Sequence, residues 1–213
     1  MAYISLDIET VPLVIEDDTV KAYLMDKKIS KYQRSFHPLF SRIIVICVKE
    51  LESTTEVYHN DDEKLLLEQF WRRFGELKSP KIITFNGYNF DIPFLITRSI
   101  INDVSIPFQI NTNKWQMEKS NHFDVMRFFS SHETFLNISL RTISKILEIK
   151  NGGQNGTAGS DIERLYKAGN IDAIKEKCKY DVELLEKVFE KSCRRYLEKW
   201  FPALQVFNQY NYS

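Results

Sequence analysis

The scarcity of certain residues already excludes several chemistries. The chain has three cysteines, Cys47, Cys178 and Cys193, and no CxxC pair, so neither a disulfide framework nor a cysteine-rich zinc site is expected. Its four histidines show no zinc-ligand spacing. Residues 151–160 hold four of the seven glycines but lack the GK[ST] ending of a phosphate-binding loop, and no GxSxG nucleophile elbow occurs. We expect this glycine-rich segment to be a mobile loop.

Long apolar runs are absent as well. No segment approaches the roughly 18 apolar residues of a membrane span. Acidic residues come too early at the N-terminus for a signal peptide. We therefore expect a chain with no membrane partner, in a reducing, cytoplasmic compartment.

No charge of either sign is in excess. The 213 residues include 29 Lys and Arg against 29 Asp and Glu, so the formal net charge is zero. This argues against a protein that coats DNA through bulk positive charge, although an enzyme can keep its positive charge local. The length favours one domain over residues 1–213, with its core at about residues 3–200.

The order of the predicted elements indicates a layered α/β or α+β protein. The predicted strands cover residues 2–10, 42–49, 54–59 and 81–85. Three predicted helices cover residues 16–34, 137–149 and 171–200. A fourth begins after Asp61 and Asp62, which cap it, and a fifth follows the turn at residues 86–91 and ends at residue 103. Helical spacing predicts two inward-facing apolar sets, Leu65, Leu66, Phe70 and Phe74 in one helix and Ile138, Ile143, Ile146 and Leu147 in another.

Two acidic side chains lie on one face of the first predicted strand. Asp7 and Glu9 are two residues apart in LDIET, so they point to the same side, and the apolar residues 4, 6 and 8 point to the other. Adjacent anions on a central strand repel each other and lose hydration, and Mg²⁺ or Mn²⁺ bound by carboxylate oxygens is the usual remedy. An exposed strand face with solvated charges is the alternative.

Asp91 follows the turn after the strand KIITF. The carboxyl end of a core strand is where open α/β sheets place their sites. A helix N-cap, with Pro93 in the first turn, is the alternative interpretation of the same residue.

Asp181 lies on the predicted inward stripe of the last helix, together with Cys178 and Leu185. An acid in that row needs a partner. The alternative is an ion pair with Lys177, four residues earlier.

In this order, LDIET, FNGYNFDIPFL and KYDVELL resemble the three exonuclease motifs of the DEDD superfamily of 3′–5′ exonucleases. The chain resembles the proofreading exonuclease domain of family B DNA polymerases and related stand-alone predicted exonucleases over about residues 3–195. The segment GSDIERLY is also similar to those stand-alone proteins. The resemblance implies an RNase H-like α/β fold, with a five-stranded mixed sheet flanked by helices, in a free-standing exonuclease or a subunit of a larger assembly.

The resemblance also implies a metal site. Asp7, Glu9, Asp91 and Asp181 would be the ligands of two divalent cations, Mg²⁺ or Mn²⁺, which in such sites lie about 3.5–4 Å apart. In the implied arrangement, Asp7 bridges both ions. Glu9 and Asp181 hold the ion that activates water, and Asp91 supports the other.

One catalytic position departs from the family pattern. The tyrosine subclass has Tyr four residues before the last Asp, and the histidine subclass has His five residues before it; here these positions are Lys177 and Glu176. A lysine among carboxylates stays protonated and cannot accept a proton, although it could hold a hydroxide or a phosphate oxygen. Three explanations stay open: metal activation suffices, a residue such as Tyr166 or His122 stands in, or the enzyme is slow. We favour the first and keep Lys177 as a candidate catalytic residue.

Basic and aromatic residues alternate between positions 21 and 42. Six basic residues and one acid give this segment a charge of 6 − 1 = +5. Single-strand binders combine such cations with aromatic stacking surfaces, whereas a basic helix with inward aromatics is the alternative. The candidate nucleic-acid contacts in this segment are Lys27, Lys28, Lys31 and Arg34.

Further candidate contacts come from the motifs. They are Thr10 in the first motif and Asn86, Asn89 and Phe90 in the second. Phe90 could wedge a terminal base, although phenylalanine more often belongs to a core. Asp124, near a strand end, is expected to have a structural or supporting role.

These features favour a two-metal 3′–5′ exonuclease acting on 3′ ends of single-stranded nucleic acid, DNA rather than RNA, with a replication or repair protein as a partner. A nucleic-acid-binding or scaffold module that keeps the fold and a weakened metal site is the main alternative. An RNase H-type or resolvase-type endonuclease shares the fold but fits the NGYNFD motif less well.

Overall fold

A computed structural model describes residues 2–77, 80–117, 120–150 and 159–200, apart from the side chains of Lys31, Tyr32, Ser160 and Trp200. The strands are β1 (Tyr3–Pro12), β2 (Ser41–Glu50), β3 (Glu56–His59), β4 (Lys81–Thr84) and β5 (His122–Asp124). The helices are α1 (Asp18–Asp26), α2 (Lys31–Ser35), α3 (Glu63–Gly75), α4 (Asp91–Ile101), α5 (Val125–Phe129), α6 (Leu140–Ile146), α7 (Ile162–Lys167), α8 (Ile171–Val188) and α9 (Arg194–Trp200).

The strands form one mixed sheet in the order β3-β2-β1-β4-β5. β1 lies at its centre, antiparallel to β2 and parallel to β4, and β5 is parallel to β4. The carboxyl ends of β1, β4 and β5 therefore meet at one end of the sheet, where open α/β sheets bind ligands. The five-stranded mixed sheet with flanking helices confirms the expected architecture.

Helices cover both faces of the sheet. Ile4, Leu6 and Ile8 of β1 are buried against α3 and α4 on one face. The other face packs against α7 and α8. Because side chains alternate along a strand, Asp7 and Glu9 both lie on the α8 side, as the spacing in LDIET predicts.

One bulge interrupts the ladder between β1 and β2. The register shifts between Glu9 and Thr10. The partner of Thr10 is Ile43, which leaves Ile44 as an extra residue of β2. The Ile43 N–H donates to Oε1 of Glu63, the first residue of α3, at 2.7 Å. A carboxylate from α3 therefore completes the ladder where the register changes.

Two predicted helices are shorter or divided. The segment 16–34 forms α1 and α2, separated at residues 27–30 by a turn in which Lys28 has a φ of 51°. The segment 171–200 is divided by a π-helical turn at Phe189–Cys193, so α8 ends at Val188 and α9 begins at Arg194. A π-helical turn contains one residue more than an α-helical turn, so the row of buried side chains is rotated around the helix axis after it. A prediction that uses one helical period for the whole segment does not include this rotation.

Three predicted core positions are exposed. Leu65 is 46% exposed, because the buried stripe of α3 runs through Leu66, Leu67 and the aromatic residues after them. The predicted helix over 137–149 begins only at Leu140, after the Ser139 hydroxyl caps its first turn. Ile138 and Ile146 are consequently exposed.

The three cysteines are free and buried. In the described ranges, no helix combines the length and apolarity needed to cross a membrane. Residues 151–158, most of the glycine-rich segment, lie outside the described residues.

Candidate active site

Asp7 and Glu9 meet α8 beside the centre of the sheet. A ligand atom of each, together with Sγ of Cys178, lies within 4.8 Å of the others. The Cys178 thiol donates to the backbone carbonyl oxygen of Asp7 at 3.4 Å, which seats α8 against β1. Oδ2 of Asp7 is buried and has no hydrogen-bond partner among the described residues.

Asp91 reaches the same strand from α4. Its Oδ1 accepts a hydrogen bond at 3.1 Å from the N–H of Ile8, the residue between the two acids of β1. The alternative interpretation of Asp91 as an N-cap is wrong, because Phe90 occupies the N-cap position and makes no side-chain cap bond. Asp91 is instead the first residue of the helix, and its buried carboxylate faces the sheet.

Lys177 joins the remaining acid to this group. Its Nζ donates to Oδ2 of Asp181 at 2.9 Å, which confirms the ion pair expected at this helical spacing. The same ammonium contacts Oε1 of Glu9. Because the Lys177 side chain is only 11% exposed, the contacts bring β1 and α8 together around a largely buried cation.

Burial is the largest influence on the carboxyl groups of Asp7, Glu9 and Asp91. It raises the pKa of Asp7 to about 7 and that of Glu9 to about 8, although the Lys177 ammonium opposes both shifts. Burial and then the charge of Asp7 raise the pKa of Asp91 well above its usual range. Burial alone would lower the pKa of Lys177, but Glu9, Asp7 and Asp181 raise it. The pocket therefore holds more negative charge than one ammonium balances.

Asp124 holds the turn that carries Asp91. Its carboxylate accepts from the backbone N–H groups of Asn86, at 2.9 Å, and Tyr88, at 3.2 Å. It also caps α5. This agrees with the structural or supporting role expected from the sequence, because the carboxylate positions the turn that leads to Asp91.

A close approach of backbone to side chain requires glycine in this turn. A Cβ added at Gly87 would overlap the side chain of Thr84, the last residue of β4. Asn86 precedes it with a φ of 66°, a conformation that asparagine tolerates better than most residues. The residues Asn86-Gly87 thus make possible the sharp exit of the chain from β4 towards Asp91.

The predicted contact residues near this turn also serve the fold. Nδ2 of Asn89 donates to Oδ1 of Asn86 at 2.9 Å, and Oδ1 of Asn89 accepts from Arg127 at 2.9 Å. The hydroxyl of Thr10 donates to the carbonyl oxygen of Ser35 at 3.1 Å and ties β1 to α2. Contact of these side chains with nucleic acid stays a prediction.

An aromatic pair lines a cavity beside the carboxylates. This cavity of about 280 Å³ is bordered by Asp7, Glu9 and Thr10 on one side and by Phe36 and Phe90 on another. The two rings lie 5.9 Å apart, centroid to centroid, and Phe36 is 52% exposed. Phe36 belongs to the basic, aromatic segment, but nothing in its spacing singled it out from the other aromatic residues there.

A second cavity, of about 310 Å³, opens on the other side of Lys177. Asp7 and Asp181 border it together with Arg141 of α6. Arg141 also places its guanidinium 5.6 Å from the ring centroid of Tyr180. Sequence reasoning missed this cation, because its proximity to the acids depends on how α6 packs on α8.

The predicted contact residues of the basic segment do not all line one cavity. Lys28 and Arg34 line a separate cleft of about 680 Å³ whose lining includes none of the four acids. Lys27 pairs with Asp26 at 3.1 Å, and the side chain of Lys31 lies outside the described residues.

The two residues considered as replacement bases are engaged elsewhere. The buried His122 ring bonds Oγ1 of Thr84 at 2.8 Å, and burial lowers its pKa to about 3. The Tyr166 hydroxyl accepts from the guanidinium of Arg42.

The donor set fits divalent cations. Carboxylate oxygens are the ligands that Mg²⁺ and Mn²⁺ prefer, and Oδ2 of Asp7 is a buried acceptor without a partner in the described chain. A cation there would satisfy this oxygen and offset the repulsion that raises the pKa of Asp91.

Comparison with known proteins identifies the family and the fold of the chain. The family described as "Predicted 3'-5' exonuclease related to the exonuclease domain of PolB" matches residues 31–186, which include Asp91 and Asp181 but begin after Asp7 and Glu9. No curated protein matches the sequence. The fold is similar to that of the family B DNA polymerase from the hyperthermophilic archaeon Pyrobaculum calidifontis, with a TM-score of 0.63 and 13% sequence identity.

That structural similarity covers 92% of this chain but only 25% of the polymerase chain. It confirms the RNase H-like fold expected from the three motifs. From the family match over residues 31–186, the chain belongs to the family of predicted 3′–5′ exonucleases related to the exonuclease domain of PolB.

Proposed function

We propose that this chain is a divalent-metal-dependent exonuclease that removes nucleotides from the 3′ end of single-stranded nucleic acid. The observation that carries the proposal is the buried Oδ2 of Asp7, which has no partner among the described residues and belongs to a strand that Asp91 of α4 reaches through the Ile8 N–H and that Asp181 of α8 reaches through Lys177. In this proposal Asp7, Glu9, Asp91 and Asp181 hold Mg²⁺ or Mn²⁺, which would supply an activated water and stabilise charge on the phosphate.

The chain's own cations have a complementary role. Lys177 donates to Glu9 and Asp181, and those carboxylates keep it protonated, so it serves as a positive charge and not as a proton acceptor. Arg141 borders the second cavity, where its guanidinium suits a phosphate oxygen. These two residues flank opposite parts of the acidic cluster and would orient the backbone of a bound strand.

The aromatic pair supports an unpaired strand as substrate. Phe36 and Phe90 border the cavity that contains Glu9, and an exposed ring such as that of Phe36 can stack on an unpaired base. The preference for DNA over RNA rests on the structural similarity to a DNA polymerase. A replication or repair protein as partner belongs to the same proposal and rests on the motif resemblance.

End-labelled strands test the activity directly. The full chain is incubated with 5′-labelled or 3′-labelled single-stranded DNA and RNA of one sequence, in Mg²⁺, Mn²⁺ or EDTA. Stepwise shortening of the 5′-labelled strand, with mononucleotide released from the 3′ label, is expected only with metal. Asp181→Asn should abolish it, whereas Asp172→Asn, an exposed acid on the same helix, should not. Cleavage that persists in EDTA or in Asp181→Asn would contradict the proposal.

A scaffold module is the second candidate, and one observation favours it. Lys177 contacts both Glu9 and Asp181, so the chain itself balances part of the negative charge of these two acids. Fluorescence anisotropy with labelled single-stranded DNA separates the two functions. Strand binding that is equal with and without metal, with no shortening of the strand, would support the scaffold.

A further inference from the structure

Lys177 lies where the motif resemblance places a cation. Glu9 and Asp181 are the two acids expected to share one divalent ion. In the structure they share the ammonium of Lys177, which contacts Oε1 of Glu9 and lies 2.9 Å from Oδ2 of Asp181. The Lys177 side chain is 11% exposed and the Glu9 side chain 7%, so this contact is largely shielded from water.

An ammonium and a divalent ion compete for this position. The ammonium has three N–H donors and no acceptor, so it uses carboxylate lone pairs that a metal would otherwise bind. Two cations a few ångströms apart also repel each other strongly where water is excluded. Lys177 and Asp181 are four residues apart on α8, so the helix itself holds the ammonium beside this carboxylate.

A different acceptor remains free for a metal ion. Oδ2 of Asp7 is buried and has no partner within the described chain. Asp91 approaches the same strand through its bond to the N–H of Ile8. These two carboxylates come from β1 and α4, whereas the hydrogen bonds of the Lys177 ammonium go to Glu9 and Asp181.

We propose, on the basis of the metal-dependent function above, that Lys177 replaces one of the two expected cations and that the chain binds a single Mg²⁺ or Mn²⁺ ion at Asp7 and Asp91. The set of four metal ligands given above is thereby reduced to two, because Glu9 and Asp181 hold the ammonium. When the four acids are ionised, the cluster with Lys177 has a charge of −4 + 1 = −3. One divalent ion brings it to −1, whereas two would make it +1. The ammonium thus supplies a permanent charge at one position, and the other position stays dependent on metal.

Metal stoichiometry tests this inference without reference to catalysis. The metal-stripped full chain is titrated with Mn²⁺, and free Mn²⁺ is measured by electron paramagnetic resonance. Wild type is expected to bind one ion and Lys177→Met two, because the neutral side chain leaves Glu9 and Asp181 available. Lys177→Arg, which keeps the charge, should bind one. Lys175→Met is the matched control on α8, since Lys175 pairs with the exposed Asp172.

Each outcome decides the matter. Two ions bound to wild type would overturn the inference, because Lys177 would then yield its place to metal. One ion bound to Lys177→Met would also overturn it, since removal of the ammonium would open no site. If Lys177→Met fails to fold, the wild-type and Lys177→Arg values still decide. Absence of Mn²⁺ binding in wild type and every variant would instead overturn the metal-dependent function itself.

Discussion

Replacement of Asp7 by asparagine should remove activity and yet stabilise the metal-free protein. A pKa raised from 3.8 to about 7 corresponds to roughly 4 kcal/mol of unfavourable free energy once the buried carboxyl is ionised. Part of this cost is shared with Glu9, so we expect Asp7→Asn to raise the free energy of unfolding by about 2–4 kcal/mol at pH 8. In a chain of this length that corresponds to a rise in Tm of about 5–12 °C.

The pH dependence of this gain in stability follows from the direction in which the pKa of Asp7 is shifted. Below about pH 4 Asp7 is protonated in the folded and the unfolded chain, so wild type and Asp7→Asn should have similar stability. As the pH rises from 4 to 7, the unfolded chain releases its proton first, and the stability of metal-free wild type falls. Asp7→Asn lacks this loss, and the difference in Tm should grow over the same interval.

Differential scanning fluorimetry between pH 4 and pH 8, with EDTA or Mn²⁺, measures both effects. Asp61→Asn, which removes an exposed acid, is the matched control and should leave Tm almost unchanged. Added Mn²⁺ should raise the Tm of wild type much more than that of Asp7→Asn. Equal Tm values at pH 8 in EDTA, or an equally large gain at pH 4, would refute the reasoning that burial of a charged Asp7 destabilises the fold.

Three further substitutions test the surroundings of the site. Asp124→Ala leaves the N–H of Asn86 without its acceptor and should cost roughly 3–5 kcal/mol in urea unfolding, with a lower exonuclease rate. Gly87→Ala forces a methyl group into Thr84 and should lower the free energy of unfolding by about 1–3 kcal/mol. Phe36→Ala removes an exposed ring and should weaken single-strand binding about 10-fold, measured by anisotropy, with little change in Tm.

Each of these expectations has a contrary result. Normal stability of Asp124→Ala would show that the turn after β4 holds its shape without the carboxylate. Unchanged unfolding of Gly87→Ala would mean that the turn moves away from β4 at little cost. Equal affinity of Phe36→Ala and wild type for the strand would show that the ring of Phe36 does not contribute to substrate binding.

Local periodicity was sufficient to predict the features of the site that lie within a single strand or helix. The two-residue period of β1 predicts that Asp7 and Glu9 share a face, and they do. The four-residue spacing on α8 predicts the pair of Lys177 with Asp181, and it is present. These geometries follow from backbone repeats, which the sequence displays directly.

Contacts between distant segments could not be predicted in the same way. The alternative interpretation of Asp91 as an N-cap was wrong, and its actual partner, the N–H of Ile8, lies 83 residues away in the sequence. The same applies to Arg141, which reaches the acidic cluster only through the packing of α6 on α8. The start of a helix also depends on which of several neighbouring residues caps it. Ser139 caps α6, so the helix begins at Leu140 and Ile138 is exposed.

The bulge at Ile44 divides β2 into two reading frames. Residues after it alternate between the faces in one phase, and residues before it alternate in the opposite phase. Ile44 and Val45 consequently lie in one buried cluster, whereas Ile43 and Ile46 both lie in another. Deletion of Ile44 would restore simple alternation and leave Ser41 and Arg42 on their present faces, but it would remove one apolar side chain from the face of the sheet that packs against α7 and α8. The extra residue thus adds a core contact beside Glu9 without changing the direction in which either end of β2 faces.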